Sequence, residues 1–363
     1  MTDCPKHIGL VGPLPPPFGG MANQTQQLAE LLRSEGLTVS LVQTNADYRP
    51  RWVSRIPVIR AIFRLVPYLF ALRKLTKKVD IIHVMANSGW SWHLFTTPAV
   101  WIAKLCDKPV IVNYHGGEAA SFLAKAAKPI KATLRHTATL IVPSGFLLSV
   151  FKSFDIASTI VPNVIDIECF SRTTHSLPLR RLLVSRNLEP IYDNETAIRA
   201  FSAVCSRYHD TTLTIAGSGP QENSLRALVK QLGLDKQVTF TGRLNKAAMV
   251  DAYKSADIAI NPSQVDNMPI SLLEALACGI PIVSTNVGGI PDLVKDEQTA
   301  LLVQPRSPDA MAKAILRLMD DSDLSEKLIH NGLVEVQKYT WQRVWPVLAA
   351  VYSEASHANR LPA

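Results

Sequence analysis

The sequence predicts an α/β protein made of two successive parallel sheets, each covered by helices on both faces. Three observations predict it. Short apolar runs alternate with longer amphipathic stretches from residue 6 to residue 142, and a second such series begins at Arg181. The chain has 363 residues, enough for two domains of ordinary size. Hydrophobic residues make up 47% of it, which gives each half a core and excludes a disordered or fibrous chain.

The first series opens with the apolar run Lys6 to Gly12, followed by the Pro- and Gly-rich stretch Pro13 to Gly20 and a helical pattern over Met21 to Leu32. A strand, the Gly19-Gly20 turn and a helix form the start of a Rossmann-like half, in which glycines let the backbone approach a phosphate or sugar. Strand-like runs follow at Thr38 to Gln43, Asp80 to Met85, Pro109 to Tyr114 and Thr139 to Val142, with helical stretches between them. Asn113-Tyr114-His115-Gly116-Gly117-Glu118 stands at the carboxyl end of the fourth run, where an open α/β sheet places ligand groups. Phe170 to Pro178 is polar and Pro-ended and reads as a linker, so the expected division is residues 1–170 and 171–339.

The second series contains Arg181 to Arg186, the run Leu213 to Pro220 with its Gly217-Ser218-Gly219 turn, and Val238 to Arg243 with Gly242. Asp257 to Ile260 then leads into Asn261 to Ile290. Here Asp266 lies in a Pro-containing loop and Glu274 eight positions later in an apolar helical run. Two carboxylates so placed can bracket one polyhydroxylated ligand, since each accepts hydrogen bonds from neighbouring hydroxyls in a fork. The start of the helix adds backbone N–H donors suited to phosphate. Asp321-Ser322-Asp323 lies between two helical patterns rather than at a strand end, and reads as a helix cap rather than a metal site.

Asp266-Asn267-Met268-Pro269-Ile270 followed by Leu273-Glu274-Ala275-Leu276-Ala277, Gly279, Pro281 and Val283 resembles the signature of retaining family-4 glycosyltransferases with the GT-B fold. The resemblance covers nearly the whole chain. It implies two Rossmann-like domains facing across a cleft, with a C-terminal helix (residues 340–356) crossing back to the first. It also implies glycosyl transfer with retention from a nucleotide-sugar donor of UDP or GDP type, with no separate cofactor and no metal. By resemblance His115, Asp266 and Glu274 serve catalysis and the donor sugar, Glu274 holding the ribose. Arg186 meets the diphosphate, and Gly19, Gly20, Gly217, Gly242, Arg243, Asn267, Met268, Pro269 and Ile270 line the donor site. Three departures stand out: Asp266 replaces the family's first Glu, Val161-Pro162-Asn163-Val164-Ile165-Asp166 lacks the family's Gly, and no Lys follows Arg186 before Arg199. A nucleotide-sugar epimerase on the same fold and an inactive membrane-associated scaffold are the alternative functions.

A formal charge of +8 and a pI near 9.2 are compatible with an anionic partner. Basic residues concentrate in Arg49 to Lys78, where Arg51, Arg55, Arg60, Arg64, Arg73, Lys74, Lys77 and Lys78 interleave with aromatic and branched apolar residues and no acid. This segment, broken into shorter pieces by Pro57 and Pro67, is expected to rest on an anionic membrane surface. No recognition motif accompanies the charge, so nucleic acid is not an expected partner. The expected acceptor is a glycan or polyprenyl-linked glycan of cell-surface polysaccharide synthesis. Five scattered cysteines, no signal-peptide pattern and no apolar run of membrane-spanning length point to a cytoplasmic protein, peripheral on the inner face of the plasma membrane.

Overall fold

The computed structural model describes residues 5–16, 19–46, 57–171 and 178–358. They carry twelve strands: β1 (His7–Gly12), β2 (Thr38–Gln43), β3 (Ile81–Ala86), β4 (Val110–Tyr114), β5 (Thr139–Val142), β6 (Thr159–Ile160), β7 (Arg181–Ser185), β8 (Thr212–Ala216), β9 (Val238–Gly242), β10 (Ile258–Asn261), β11 (Ile282–Thr285) and β12 (Leu301–Val303). They form two six-stranded sheets, in the orders β2-β1-β3-β4-β5-β6 and β12-β11-β10-β7-β8-β9. Every pairing within them is parallel.

Parallel strands need covered crossovers, so both sheet faces are buried and the strands read as continuous apolar runs rather than alternating ones. β7 shows this: Leu182 and Val184 belong to the cluster with Phe201, Ile215 and Ile315, whereas Leu183 joins Tyr253, Leu272 and Leu276 on the opposite face. At its start, buried Asp257 accepts backbone N–H groups from Arg180 (2.9 Å) and Arg181 (2.8 Å) and the guanidinium of Arg181 through both oxygens (3.1 and 2.6 Å). That carboxylate joins the amino ends of β7 and β10.

The chain divides into two units, one of residues 1–163 and 344–363, the other of residues 164–343. The changes of unit fall a few residues from positions 170 and 339 because Ile165 donates its N–H to the Tyr339 carbonyl (3.0 Å) and Asp166 pairs with Lys246 (2.7 Å), which ties residues 165 and 166 into the second unit. Residues 172–177 of the expected linker lie outside the described residues. The last helix, Trp341–Ala358, begins in the second unit and continues in the first, where the Tyr352 hydroxyl meets Nδ1 of buried His83 at 2.7 Å.

Of the basic segment, Arg49 to Ile56, including Arg51, Trp52 and Arg55, lies outside the described residues, as do the side chains of Ile59, Arg60 and Ile62. The remainder corrects the expectation of short pieces: Pro57–Thr76 is one helix with Pro67 inside it. Pro57 sits where its missing N–H costs nothing, and Pro67 is exposed, so the carbonyl one turn earlier is left to water. No helix among the described residues is long and apolar enough to cross a membrane.

Candidate active site

In the second unit, sequence order reverses between β7 and β10, and the residues that leave those strands converge there. Arg186 directly follows β7. Its Nε donates to the Asn261 side-chain oxygen at the end of β10 (2.8 Å), and its Nη2 donates to Asp266. Asn261 is fixed in turn: Ser263 Oγ donates to its oxygen (2.7 Å), its own amide donates to Ser284 Oγ (3.1 Å), and Thr285 holds the Ser263 carbonyl (2.6 Å). The other Asp266 oxygen accepts the N–H of Asn267 (2.9 Å). The Arg186 and Asp266 side chains are only 11% and 14% exposed. Burial raises the Asp266 carboxyl against the lowering effect of Arg186 and the Asn267 N–H. The Tyr192 ring lies 5.2 Å from the guanidinium carbon.

The loop carrying Asp266 is locked by the Gly288-Gly289 turn after β11. Gly289 donates to the Asp266 carbonyl (2.9 Å), and Gly288 has φ +54°, where a Cβ would fall 2.0 Å from the same oxygen. Only glycine fits both the angle and the gap.

Glu274 lies in the helix Ile270–Cys278. Pro269 in extended conformation starts this helix, and Gly279 in the left-handed region (φ 67°) ends it. Leu272, Leu273, Ala275 and Leu276 bury the inward faces, leaving Glu274 partly exposed. Burial pushes its carboxyl up to about 7, against the lowering influence of Tyr253, Arg186 and Lys246. Tyr253 is itself buried and donates its hydroxyl to the Ser271 carbonyl (2.9 Å). Arg186, Asp266 and Glu274 are therefore one electrostatic group. Asn267 and Met268 are buried beside them, and Pro269 and Ile270 open the helix without a side-chain cap.

The glycines of the two neighbouring turns differ. A Cβ at Gly217 would fall 2.0 Å from the Arg186 carbonyl, and one at Gly219 would fall 2.4 Å from that of Leu188, so these residues are needed for the chain leaving β7. Gly242 has φ +69° with open space before it, and Arg243 donates to Ser218 (2.8 Å). Where the family Lys is missing, the chain forms a short turn, Pro190–Tyr192, and Asp193 caps the helix Asn194–Cys205. Lys246, Tyr253, Asn261 and Ser263 carry no motif. Their involvement follows from strand ends and the helix Lys246–Ser255 coming together, which sequence spacing does not report.

The first unit places Gly19 and Gly20 at the head of the helix Gly20–Ser34, with nothing within 4 Å of a Cβ at either. Packing requires neither glycine. His115 directly follows β4, and its N–H donates to the Ala86 carbonyl (2.9 Å). Its Nε2 is buried without a hydrogen-bond partner, as is the Asn113 side-chain oxygen. Burial lowers the imidazole to about 4, so it is neutral at pH 7. Burial, and then His115, lower His83 to about 3. Glu118 is exposed and precedes the helix Ala119–Leu134 without capping it by its side chain.

Among the described residues, no group of three or more His, Cys, Asp or Glu side chains is placed to hold a metal ion. Asp321 caps the helix Ser322–Glu335 by accepting the Leu324 N–H (2.9 Å).

The family model for glycosyl transferases group 1 matches residues 172–334, and that for glycosyltransferase family 4 matches residues 18–169. An uncharacterized glycosyltransferase of Methanocaldococcus jannaschii is 35% identical over 162 residues, 44% of this chain and 41% of that protein. The chain spans less than half the length of the first curated relatives it matches. Sucrose-phosphate synthase of Thermosynechococcus elongatus superposes with a TM-score of 0.78 at 20% identity, over 97% of this chain and 100% of that one. Anabaena HepE, in complex with UDP, gives 0.74 at 14% identity, over 96% and 99%. By both halves of its sequence and by its fold, the chain belongs to the group 1, family 4 glycosyltransferases of GT-B architecture.

Proposed function

We propose that this protein transfers a sugar from a nucleotide-sugar, of UDP or GDP type, to a glycan or polyprenyl-linked acceptor with retention at the anomeric carbon. The observation that carries the reading is Arg186 at the reversal between β7 and β10, oriented by Asn261 and Asp266, with Glu274 in the same electrostatic group. In this reading Glu274 holds the ribose hydroxyls, Arg186 the diphosphate and Asp266 the sugar hydroxyls, and neutral His115 is assigned to the sugar by its likeness to the family's histidine. The bond from the anomeric carbon to the diphosphate oxygen breaks, the acceptor oxygen bonds to that carbon on the same face, and the acceptor proton leaves on the diphosphate. Arg186 stabilises the charge that develops on the leaving group, a contribution aimed at the transition state rather than the ground state. No protein nucleophile and no divalent metal enter the scheme. The product would serve cell-surface polysaccharide assembly at the cytoplasmic face of the membrane.

The test incubates the protein with UDP- and GDP-sugars, with and without lipid-linked and soluble glycan acceptors. Nucleoside diphosphate release and product anomeric configuration are followed in EDTA and in magnesium. Acceptor-dependent release, a retained anomer and indifference to EDTA are expected. An inverted product, or activity only with added metal, would overturn the corresponding part, and a free sugar product without acceptor would point to the epimerase alternative.

A further inference from the structure

The first unit leaves an unusual amount of large apolar side chain in solvent on one pair of helices. On Pro57–Thr76, Phe63 (44% exposed), Val66 and Phe70 (72%) recur at helical spacing on one face, while Tyr68 and Leu72 on the other are buried. On the neighbouring helix Thr97–Leu105, Trp101 and Leu105 (76%) are exposed in the same way. The Tyr68 hydroxyl donates to the Phe95 carbonyl (2.8 Å) in the turn Trp92–Thr96 that leads into the second helix, and Arg73 reaches Cys106, the residue after Leu105 (3.8 Å). The exposed edge of the first helix thereby meets the end of the second.

Charge accompanies the apolar face. Arg73, Lys74, Lys77 and Lys78 are exposed at the end of the first helix, and Lys104 is exposed between Trp101 and Leu105. The acids between residues 57 and 108 are Asp80 and Asp107, and Asp80 is engaged by the backbone N–H groups of Lys6 and His7 (2.9 Å each). Scattered exposed apolar residues are ordinary, but an aromatic and aliphatic row ending in a basic cluster is the pattern of an element lying in a bilayer interface.

From this face we infer that the helices Pro57–Thr76 and Thr97–Leu105 together form a membrane-docking surface for a bilayer containing anionic lipid. Phe63, Val66, Phe70, Trp101 and Leu105 enter the headgroup boundary, and the basic cluster engages anionic headgroups. The positive charge selects a lipid surface over a second copy of this chain, which would bring like charges together. The inference deepens the proposed function in one respect, by making the acceptor membrane-borne; docking itself requires no donor.

Flotation with vesicles of phosphatidylcholine alone, or mixed with phosphatidylglycerol, tests it without nucleotide-sugar present. Recovery with the mixed vesicles alone is expected, weakening as salt is raised. The double variant Phe70→Ser, Leu105→Ser and the triple variant Lys74→Gln, Lys77→Gln, Lys78→Gln should each lower vesicle partitioning about tenfold. Both change exposed side chains, and unchanged circular dichroism and melting would verify the fold. Equal recovery with neutral and anionic vesicles, no recovery with either, or variants that float like the parent would overturn the inference. Concentration-dependent self-association abolished by the serine variant, without vesicle binding, would assign the face to a second copy. Donor turnover on a soluble acceptor is measured in parallel, so that loss of docking and loss of transfer are read separately.

Discussion

Arg186 and Asp266 form a nearly buried ion pair between residues eighty positions apart, and Asn261 accepts from the same guanidinium. In this chain an aspartate takes the place of the family's glutamate, and the shorter acid lies directly against the arginine. The cation proposed to meet the diphosphate is thus also held by an internal carboxylate and an amide oxygen.

Replacing Arg186 by Lys keeps the charge but loses the planar fork that serves Asn261 and Asp266 together. Nucleoside diphosphate affinity should fall roughly 10- to 100-fold, as expected when charge-assisted hydrogen bonds worth about 1.5 to 3 kcal/mol are lost, while affinity for the nucleoside alone changes little. Calorimetry on both ligands checks this. Equal losses for diphosphate and nucleoside would show that the substitution disturbs the whole site.

Glu274 has its folded pKa raised from 4.5 to about 7, so the folded state binds the proton more tightly than the unfolded chain between those values. Its contribution to stability is therefore favourable at low pH and is lost as pH rises toward 7. Glu274→Gln should melt higher than the parent at pH 8 and show a smaller advantage, or none, at pH 5. Ligand binding should run the other way: a carboxylate that accepts from ribose hydroxyls works ionised, so nucleoside affinity should improve up to about tenfold from pH 6 to pH 8 in the parent but not in Glu274→Gln. The nucleoside is the right probe because it has no phosphate to titrate in that range.

His115 and His83 carry the opposite sign. Their folded values, about 4 and about 3, lie below the ordinary 6.5, so the unfolded chain binds more protons and stability is lost as pH falls from 6.5 toward 4. Melting temperature should drop between pH 7 and pH 5 in the parent and less steeply in His115→Gln. An equally steep drop in that variant would remove His115 from the account of acid lability.

Asp257 separates stability from function. It sits at the amino ends of β7 and β10, away from the strand ends that carry Arg186 and Asn261. Asp257→Ala removes acceptors from two backbone N–H groups and a guanidinium, and should destabilise the protein by about 3 kcal/mol. Urea unfolding should register this, with nucleotide affinity at low temperature unchanged.

Strand alternation and the paired acids were legible because each rests on local sequence: apolar runs for parallel strands, and a carboxylate eight residues ahead of another. What holds those acids was not. Arg186 to Asn261, Asn261 to Ser284 and Tyr253 to the Ser271 carbonyl are contacts between separate strands and helices, and spacing along the chain says nothing about strand neighbours. Gly217 reads from sequence as a ligand-facing glycine or a packing one, and the Arg186 carbonyl 2.0 Å from its would-be Cβ adds a packing requirement that spacing does not report. In the basic segment, Tyr68 and Phe70 look alike in sequence; the phase of the helix buries one and exposes the other.

Because the helix Trp341–Ala358 supplies Tyr352 to His83, the first unit is not encoded by one uninterrupted stretch of sequence. Expressing residues 1–163 alone would leave the imidazole of His83 with both nitrogens unsatisfied in an apolar interior and would uncover the surfaces now filled by Val344, Leu348 and Val351. Gene dissection should therefore rejoin residues 344–358 to the amino-terminal stretch, as a circular permutation would. Residues 164–343, by contrast, are one continuous segment of the sequence.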